Sequence, residues 1–130
     1  MLLMKKKFTL EEIIDFAETW LIQGDLNTEF LADNFQFISP FWSSNTRQAF
    51  IDKFKHSTVY QETALKNIVK FDPVIKFKSL DGTAFSIILQ YHTKNGSSVY
   101  EAVLGKIYNG LLYELRSIYD LEATKKAHDL

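Results

Sequence analysis

Three Asx-Gly pairs, Asp81-Gly82, Asn95-Gly96 and Asn109-Gly110, punctuate the second half of this chain. Such pairs are the strongest short-range hairpin signal, because tight strand connections need residues that tolerate positive φ. They predict four successive antiparallel strands near residues 65–79, 83–93, 98–108 and 111–120. Pro73 falls inside the first of these. It has no N–H for a ladder, so it marks a bulge or an edge.

The first half has helical spacing. Thr9 and Glu12 form a capping box, with Phe8 and Ile13 as the hydrophobic staple around it. Leu10, Ile13, Ile14, Ala17, Trp20 and Leu21 share one face of a helix over Leu10–Gln23, and Glu11, Glu12, Asp15, Glu18 and Thr19 point away. Gly24 ends it. A short helix is expected to close at residues 31–34, followed by an aromatic strand at 35–39 that breaks at Pro40. A third helix is expected at 46–54, with Asn45 and Gln48 as a second capping box. Helices followed by a meander define an α+β domain, with the helices on one face of a curved sheet.

With 130 residues and no Pro/Gly-rich linker, residues 1–130 read as one domain. Hydrophobic residues make up 46% of the chain and there are 11 phenylalanines, so the core must be bulky. Fifteen basic against 16 acidic residues leave no basic footprint for nucleic acid. The absence of cysteine excludes disulfides and thiolate chemistry and suits a cytoplasmic location. No apolar run reaches the roughly 20 residues of a membrane span. The order of apolar residues before lysines at the N-terminus is the reverse of a secretory signal. The polar tail at 123–130 reads as a loose last helical turn. Lys66, Lys70, Lys76 and Lys78 read as a solvated edge that discourages further strand pairing.

The succession of capped helix with Gly24-Asp25, aromatic strand 35–39, Pro40-Phe41-Trp42, third helix and meander resembles the nuclear-transport-factor-2-like superfamily. Ketosteroid isomerases, SnoaL-like cyclases and limonene-epoxide hydrolases are its members. The stretch from Leu112 to Asp120, an apolar–Arg pair followed by aromatic–Asp, is similar to that superfamily's final strand. The resemblance implies a cone-shaped half-barrel in which three N-terminal helices pack on a curved antiparallel sheet and enclose a cavity. It also implies that Leu115, Ser117 and Tyr119 point inward. A strict two-residue turn at Asn109-Gly110 would put Arg116 beside Val103, so a three-residue loop with a glycine bulge is expected there.

A two-residue turn at Asn95-Gly96 sets Gln90 opposite Glu101, Ile88 opposite Val103 and His92 opposite Val99. One face then carries Ser86, Ile88, Gln90, His92, Val99, Glu101, Val103 and Gly105. The other carries Phe85, Ile87, Leu89, Tyr91, Tyr100, Ala102 and Leu104. Burial alone turns the apolar face toward the helices. The resemblance turns the mixed face inward and leaves Phe85, Ile87, Leu89, Tyr91, Tyr100 and Leu104 as a homodimer surface, which is the expectation adopted.

Carried over by resemblance, the isomerase positions hold Ser39 for the base, Ala17 for the tyrosine and Val103 for the protonated acid. The epoxide-hydrolase positions hold Glu101, Val103 and Ser117 in place of its Arg-x-Asp and Asp. The expected cavity lining is Ala17, Trp20, Phe37, Ser39, Ile88, Gln90, Glu101, Val103, Leu115, Ser117 and Tyr119. Such a lining suits a small, mostly apolar ligand. The alternatives are an isomerase, cyclase or hydratase using Glu101 with His92, or Asp120, and an interaction module with a filled cavity. His56, His92 and His128 lack ligand-like spacing, so no metal and no cofactor are expected. His56 reads as a helix C-terminal cation.

Overall fold

A computed structural model describes residues 7–55 and 65–130; the expectations for His56 and residues 1–6 lie outside the described residues. The first helix, α1 (Leu10–Gln23), has both hydrogen bonds of the predicted capping box and ends at Gly24 with φ 74°. Its buried residues are Ile13, Ile14, Ala17 and Trp20, as the spacing requires. The predicted second helix shrinks to a 3₁₀ turn, Thr28–Phe30, capped by Asn27. Strand β1 (Leu31–Ile38) then takes over four residues assigned to that helix. Leu31, Phe35 and Phe37 are buried in it and Asp33 and Asn34 exposed, because the register against its neighbour shifts between Leu31 and Gln36. A two-residue strand β2 (Ser43–Ser44) folds back on β1. Helix α2 (Arg47–Lys55) starts one residue later than predicted. The Ala49 N–H donates to Thr46 Oγ1, so Thr46 replaces Asn45 as the cap, and Gln48 reaches forward to Asp52.

A helical segment α3 (Leu65–Asn67) leads into β3 (Ile68–Phe71) and β4 (Ile75–Lys78), one predicted strand broken at Asp72-Pro73-Val74. Both pair with β5 (Ala84–Thr93), which is followed by β6 (Ser98–Tyr108) and β7 (Leu111–Ile118). The sheet order is β2-β1-β7-β6-β5-β3, open at both ends, with β1 parallel to β7 and the other pairings antiparallel. The predicted tail is a full helix, α4 (Leu121–Ala127), capped by Asp120, whose carboxylate accepts from the Ala123 N–H.

Two turn assignments exchange places. At Asn95-Gly96 the loop has three residues: Gly96 donates to the Thr93 carbonyl, Thr93 to that of Ser97, and Gly96 sits at φ 86°. This is a tight turn closed by a glycine bulge. Leu89 therefore faces Glu101, Ile87 faces Val103 and Gln90 faces Tyr100. At Asn109-Gly110 the turn is the strict two-residue type, with φ 55° and 74° and Tyr108 opposite Leu111. The extra residue expected in that loop lies instead within β7, where the register shifts past Tyr113. Val103 thus faces Ser117 and Gly105 faces Leu115, as the resemblance implied.

The face assignment is corrected accordingly. Phe85, Ile87, Leu89 and Tyr91 are buried on the concave side and cannot form an outer surface. Ser86, Ile88, Gln90 and His92 lie on the convex side with the exposed Tyr100 and Leu104. A one-residue slip inverts every side chain of a strand, so β5 is reversed relative to expectation while β6 is not. Helix α1 packs on the concave side, where Ile13, Ile14, Ala17 and Trp20 join Phe85, Ile87, Val103 and Leu115 in one core. Lys76 and Lys78 do not stand free on the edge: they bond Glu18 and Glu11 of α1 at 3.1 and 2.9 Å. The Lys78 bond holds the exposed Glu11 carboxyl below its ordinary pKa.

Candidate functional site

The core fills the narrow end of the concave side with Ile13, Phe30, Phe35, Phe50, Ile87, Val103 and Leu112, each essentially inaccessible to solvent. Phe50 anchors an aromatic cluster, its ring 5.1–5.5 Å from those of Phe35, Phe37, Trp20 and Trp42. Such edge-on and offset contacts hold the rings in fixed orientations. Toward the wide end the packing stops short, and a cavity of about 160 Å³ opens among α1, β1, the chain after β1, the sheet and α4.

Trp20, Phe37, Ser39, Glu101, Leu115, Ser117 and Tyr119, all expected in the lining, do line it. Ala17 and Val103 are fully buried in the core and do not. Ile88 and Gln90 are on the convex face, carried there by the β5 slip. Phe41 and Trp42 of the Pro40-Phe41-Trp42 break also line it; sequence reasoning missed Phe54, Phe71, Leu89 and Tyr91, and the α4 side, where Leu121, Thr124, Lys125 and His128 border the cavity. The signal for α4 was present: Asp120 three residues before Ala123 is an N-cap spacing, and Leu121, Thr124 and His128 follow at helical intervals.

The polar groups of the cavity are few and partly committed. Ser39 Oγ donates to the Trp42 carbonyl at 2.6 Å and accepts from the Trp42 and Phe41 N–H groups. It shapes the turn after β1 and has no spare capacity to act as a base. Glu101 faces the cavity and accepts one hydrogen bond, from Ser117 Oγ to Oε1 at 2.9 Å. Burial pushes its carboxyl above the ordinary pKa, against the smaller opposing effect of Ser117. Tyr119 has its hydroxyl within reach of Ser39 and the Phe41 backbone; burial raises its pKa, and the neighbouring Glu101 charge adds to this. Tyr91 hydroxyl and His128 Nε2 are 2.9 Å apart, and burial holds His128 below the usual histidine range.

The other two catalytic candidates are elsewhere. His92 bridges Asp72, at 3.1 Å from Nε2, and Ser98, at 2.9 Å from Nδ1, on the convex face. This Asp–His–Ser order ties β3, β5 and β6 together, but none of the three lines the cavity and His92 cannot serve Glu101. Asp120 is exposed and occupied as the α4 cap. Among the described residues no group of three or more His, Asp or Glu is placed to hold a metal ion. No helix among them is long and apolar enough to cross a membrane.

No protein-family model matches the sequence, and no curated protein is detectably similar to it. Solved structures do match. Bal32a, from a soil-derived mobile gene cassette, is 19% identical with a TM-score of 0.68, over 92% of this chain and 95% of that one. A proposed polyketide cyclase from Xanthomonas campestris is 12% identical with a TM-score of 0.66, over 91% and 95%. A Catenulispora acidiphila protein with a ketosteroid isomerase-like fold, solved in complex with trimethylamine, is 15% identical with a TM-score of 0.62, over 94% and 95%. The likeness extends over nearly the whole of each chain: the open curved sheet with a helix across its concave side is the nuclear-transport-factor-2-like fold.

Proposed function

We propose that this chain is a binding domain for a small, mostly apolar molecule held at the wide end of the cone. The observation that supports it most is the make-up of the wall: aromatic and aliphatic side chains with one acid, Glu101, whose sole described hydrogen bond is to Ser117. Pockets of this composition use a few polar groups to orient an otherwise apolar guest. The size bounds the guest. A dry cavity of about 150 Å³ accepts benzene, so about 160 Å³ has room for one ring or a short branched chain. The test is a fluorescence titration with small ring compounds, since both tryptophans of the chain, Trp20 and Trp42, line the cavity. Tryptophan emission that no such compound changes would refute the reading.

One observation favours a second reading, that of an isomerase, cyclase or hydratase. Glu101 with a raised pKa lies near Tyr119, which can donate a proton or a hydrogen bond. Against it stand the Ser39, Ala17 and Val103 positions, which hold no proton-transfer group. A turnover lost in Glu101→Gln while ligand binding survives would favour the enzyme.

The convex face is proposed as the surface through which two copies associate. Across β4 to β7 it sets Ile75, Ile88, Ala102 and Ile118 in one row and Phe77 and Leu104 in the next. Ile75, Phe77, Leu104 and Ile118 are exposed, and a contiguous apolar patch of this kind marks an interaction surface. Leu104→Lys should then give monomers in sedimentation, and a wild-type protein already monomeric at high concentration refutes it.

A further inference from the structure

Resting on the binding reading above, we infer that the guest is a small organic cation, an ammonium group carrying alkyl or aryl substituents. The cavity joins two elements that together recognise such ions. The first is an aromatic wall: Trp20, Phe37, Phe71, Tyr91 and Tyr119 border it, together with Trp42, whose ring stacks on Phe50 and already carries Lys53 Nζ at 5.2 Å. The negative face of an aromatic ring attracts a cation, most strongly where water is excluded. The second is Glu101, which bonds Ser117 through Oε1 only and has no described partner at Oε2.

The balance of charge around Glu101 points the same way. From β7 it meets Ser117, with Tyr119 just past the strand's end, and from β5 the neighbouring lining groups Leu89 and Tyr91 are uncharged at neutral pH. From α1 the lining is Trp20 and Leu21, and from β1 it is Phe37. Helix α4 brings Lys125 and His128. Lys125 is 39% exposed and pairs with Glu122 at 4.0 Å, and His128 is biased toward its neutral form by burial. Among the described residues no buried cation neutralises Glu101, and an acid in such surroundings gains most from a guest that carries the missing positive charge. A neutral guest leaves the free carboxylate oxygen desolvated or forces the acid to stay protonated. A cationic guest stabilises the ionised form and fills the aromatic funnel with its substituents.

The experiment compares benzylammonium and tetramethylammonium with benzyl alcohol, read by tryptophan emission and by calorimetry. Benzyl alcohol has the ring and size of benzylammonium without the charge. At pH 7.5 benzylammonium should bind at least tenfold more tightly than the alcohol. Glu101→Gln should abolish that preference and leave the alcohol's affinity within about threefold. In the wild type the preference should fall as the pH is lowered and Glu101 takes up a proton, an arm that needs no variant to fold. Equal affinity for ammonium and alcohol, or a preference that survives Glu101→Gln, overturns the cation inference while leaving the binding reading intact. Failure of all three compounds to bind overturns both.

Discussion

Gly105→Ala isolates one close contact in the core on the concave side of the sheet. Gly105 sits directly opposite Phe85 in the β5/β6 ladder, and the Phe85 ring lies over it. A Cβ at position 105 would come within 2.3 Å of Phe85 Cε1 and Cζ. Carbon atoms pack at about 3.5 Å or more, so the ring would have to retreat by about 1.2 Å. Phe85 is only 4% exposed and is surrounded by core, so that retreat is resisted. Overpacking of this kind costs about 1–3 kcal/mol. Gly→Ala offsets about 0.4–1 kcal/mol of it by restricting the unfolded chain. The net loss should be about 1–2 kcal/mol, read as a lower urea midpoint with an unchanged m-value. Pairing the change with Phe85→Leu tests the cause. The shorter side chain leaves room for the methyl, so Gly105→Ala should be close to neutral in that background, a coupling of about 1–2 kcal/mol. An equal loss in both backgrounds would refute the ring-over-glycine argument.

Glu101→Gln should raise stability at neutral pH. A carboxyl whose folded pKa is raised supports the fold below its unfolded value and loses that support as pH rises through the folded one. The Gln variant should therefore melt higher than wild type at pH 7.5 and lose the advantage near pH 4. His128 has the opposite sign: a depressed histidine pKa supports the fold above the ordinary value and loses that support as pH falls. Acidification below about pH 6.5 should therefore cost the wild type more than His128→Gln, measured against the opposite trend from Glu101, and identical pH dependence of melting in the two proteins refutes this. Tyr91→Phe, which strips the partner of His128 Nε2, should cost about 1–3 kcal/mol in urea unfolding. Thr9→Ala should cost about 1 kcal/mol by removing the capping box of α1, measured in the same way.

The helical part of the fold was legible because its signals are local. A capping box, a buried stripe and a terminal glycine specify α1 within 16 residues, and nothing distant overrides them. The stretch at 31–34 was misread because its strand state depends on β7, a partner about 80 residues away in sequence. Asp33 and Asn34 disfavour a strand by propensity, and they are tolerated because the register shift leaves them exposed. Helix α4 was underestimated for the same reason. Much of its stability comes from tertiary contacts: Asn67 and Asn95 donate to the Ala127 and Lys126 carbonyls, and Tyr91 meets His128.

The cavity's chemistry turned on a smaller thing still, one residue in one loop. Asn-Gly fits both a two-residue turn and the end of a three-residue loop, because glycine at positive φ serves each. Asn109-Gly110 takes the first form and Asn95-Gly96 the second. The side chain of Asn95 shows what tips the choice: Oδ1 accepts from the Ser97 N–H and the Thr93 hydroxyl, while Nδ2 reaches the Lys126 carbonyl and Asp129. The three-residue loop is thus held partly by the C-terminal helix. Its consequence runs the length of β5. A two-residue turn would have set Gln90 against Glu101, with His92 close by, as a hydrated polar cluster suited to proton transfer. The observed loop sets Leu89 against Glu101, brings Tyr91 to the wall and sends Gln90 and His92 outside. Among the described lining residues Glu101 is left as the one acid in a largely aromatic wall, the arrangement on which the proposed binding role rests.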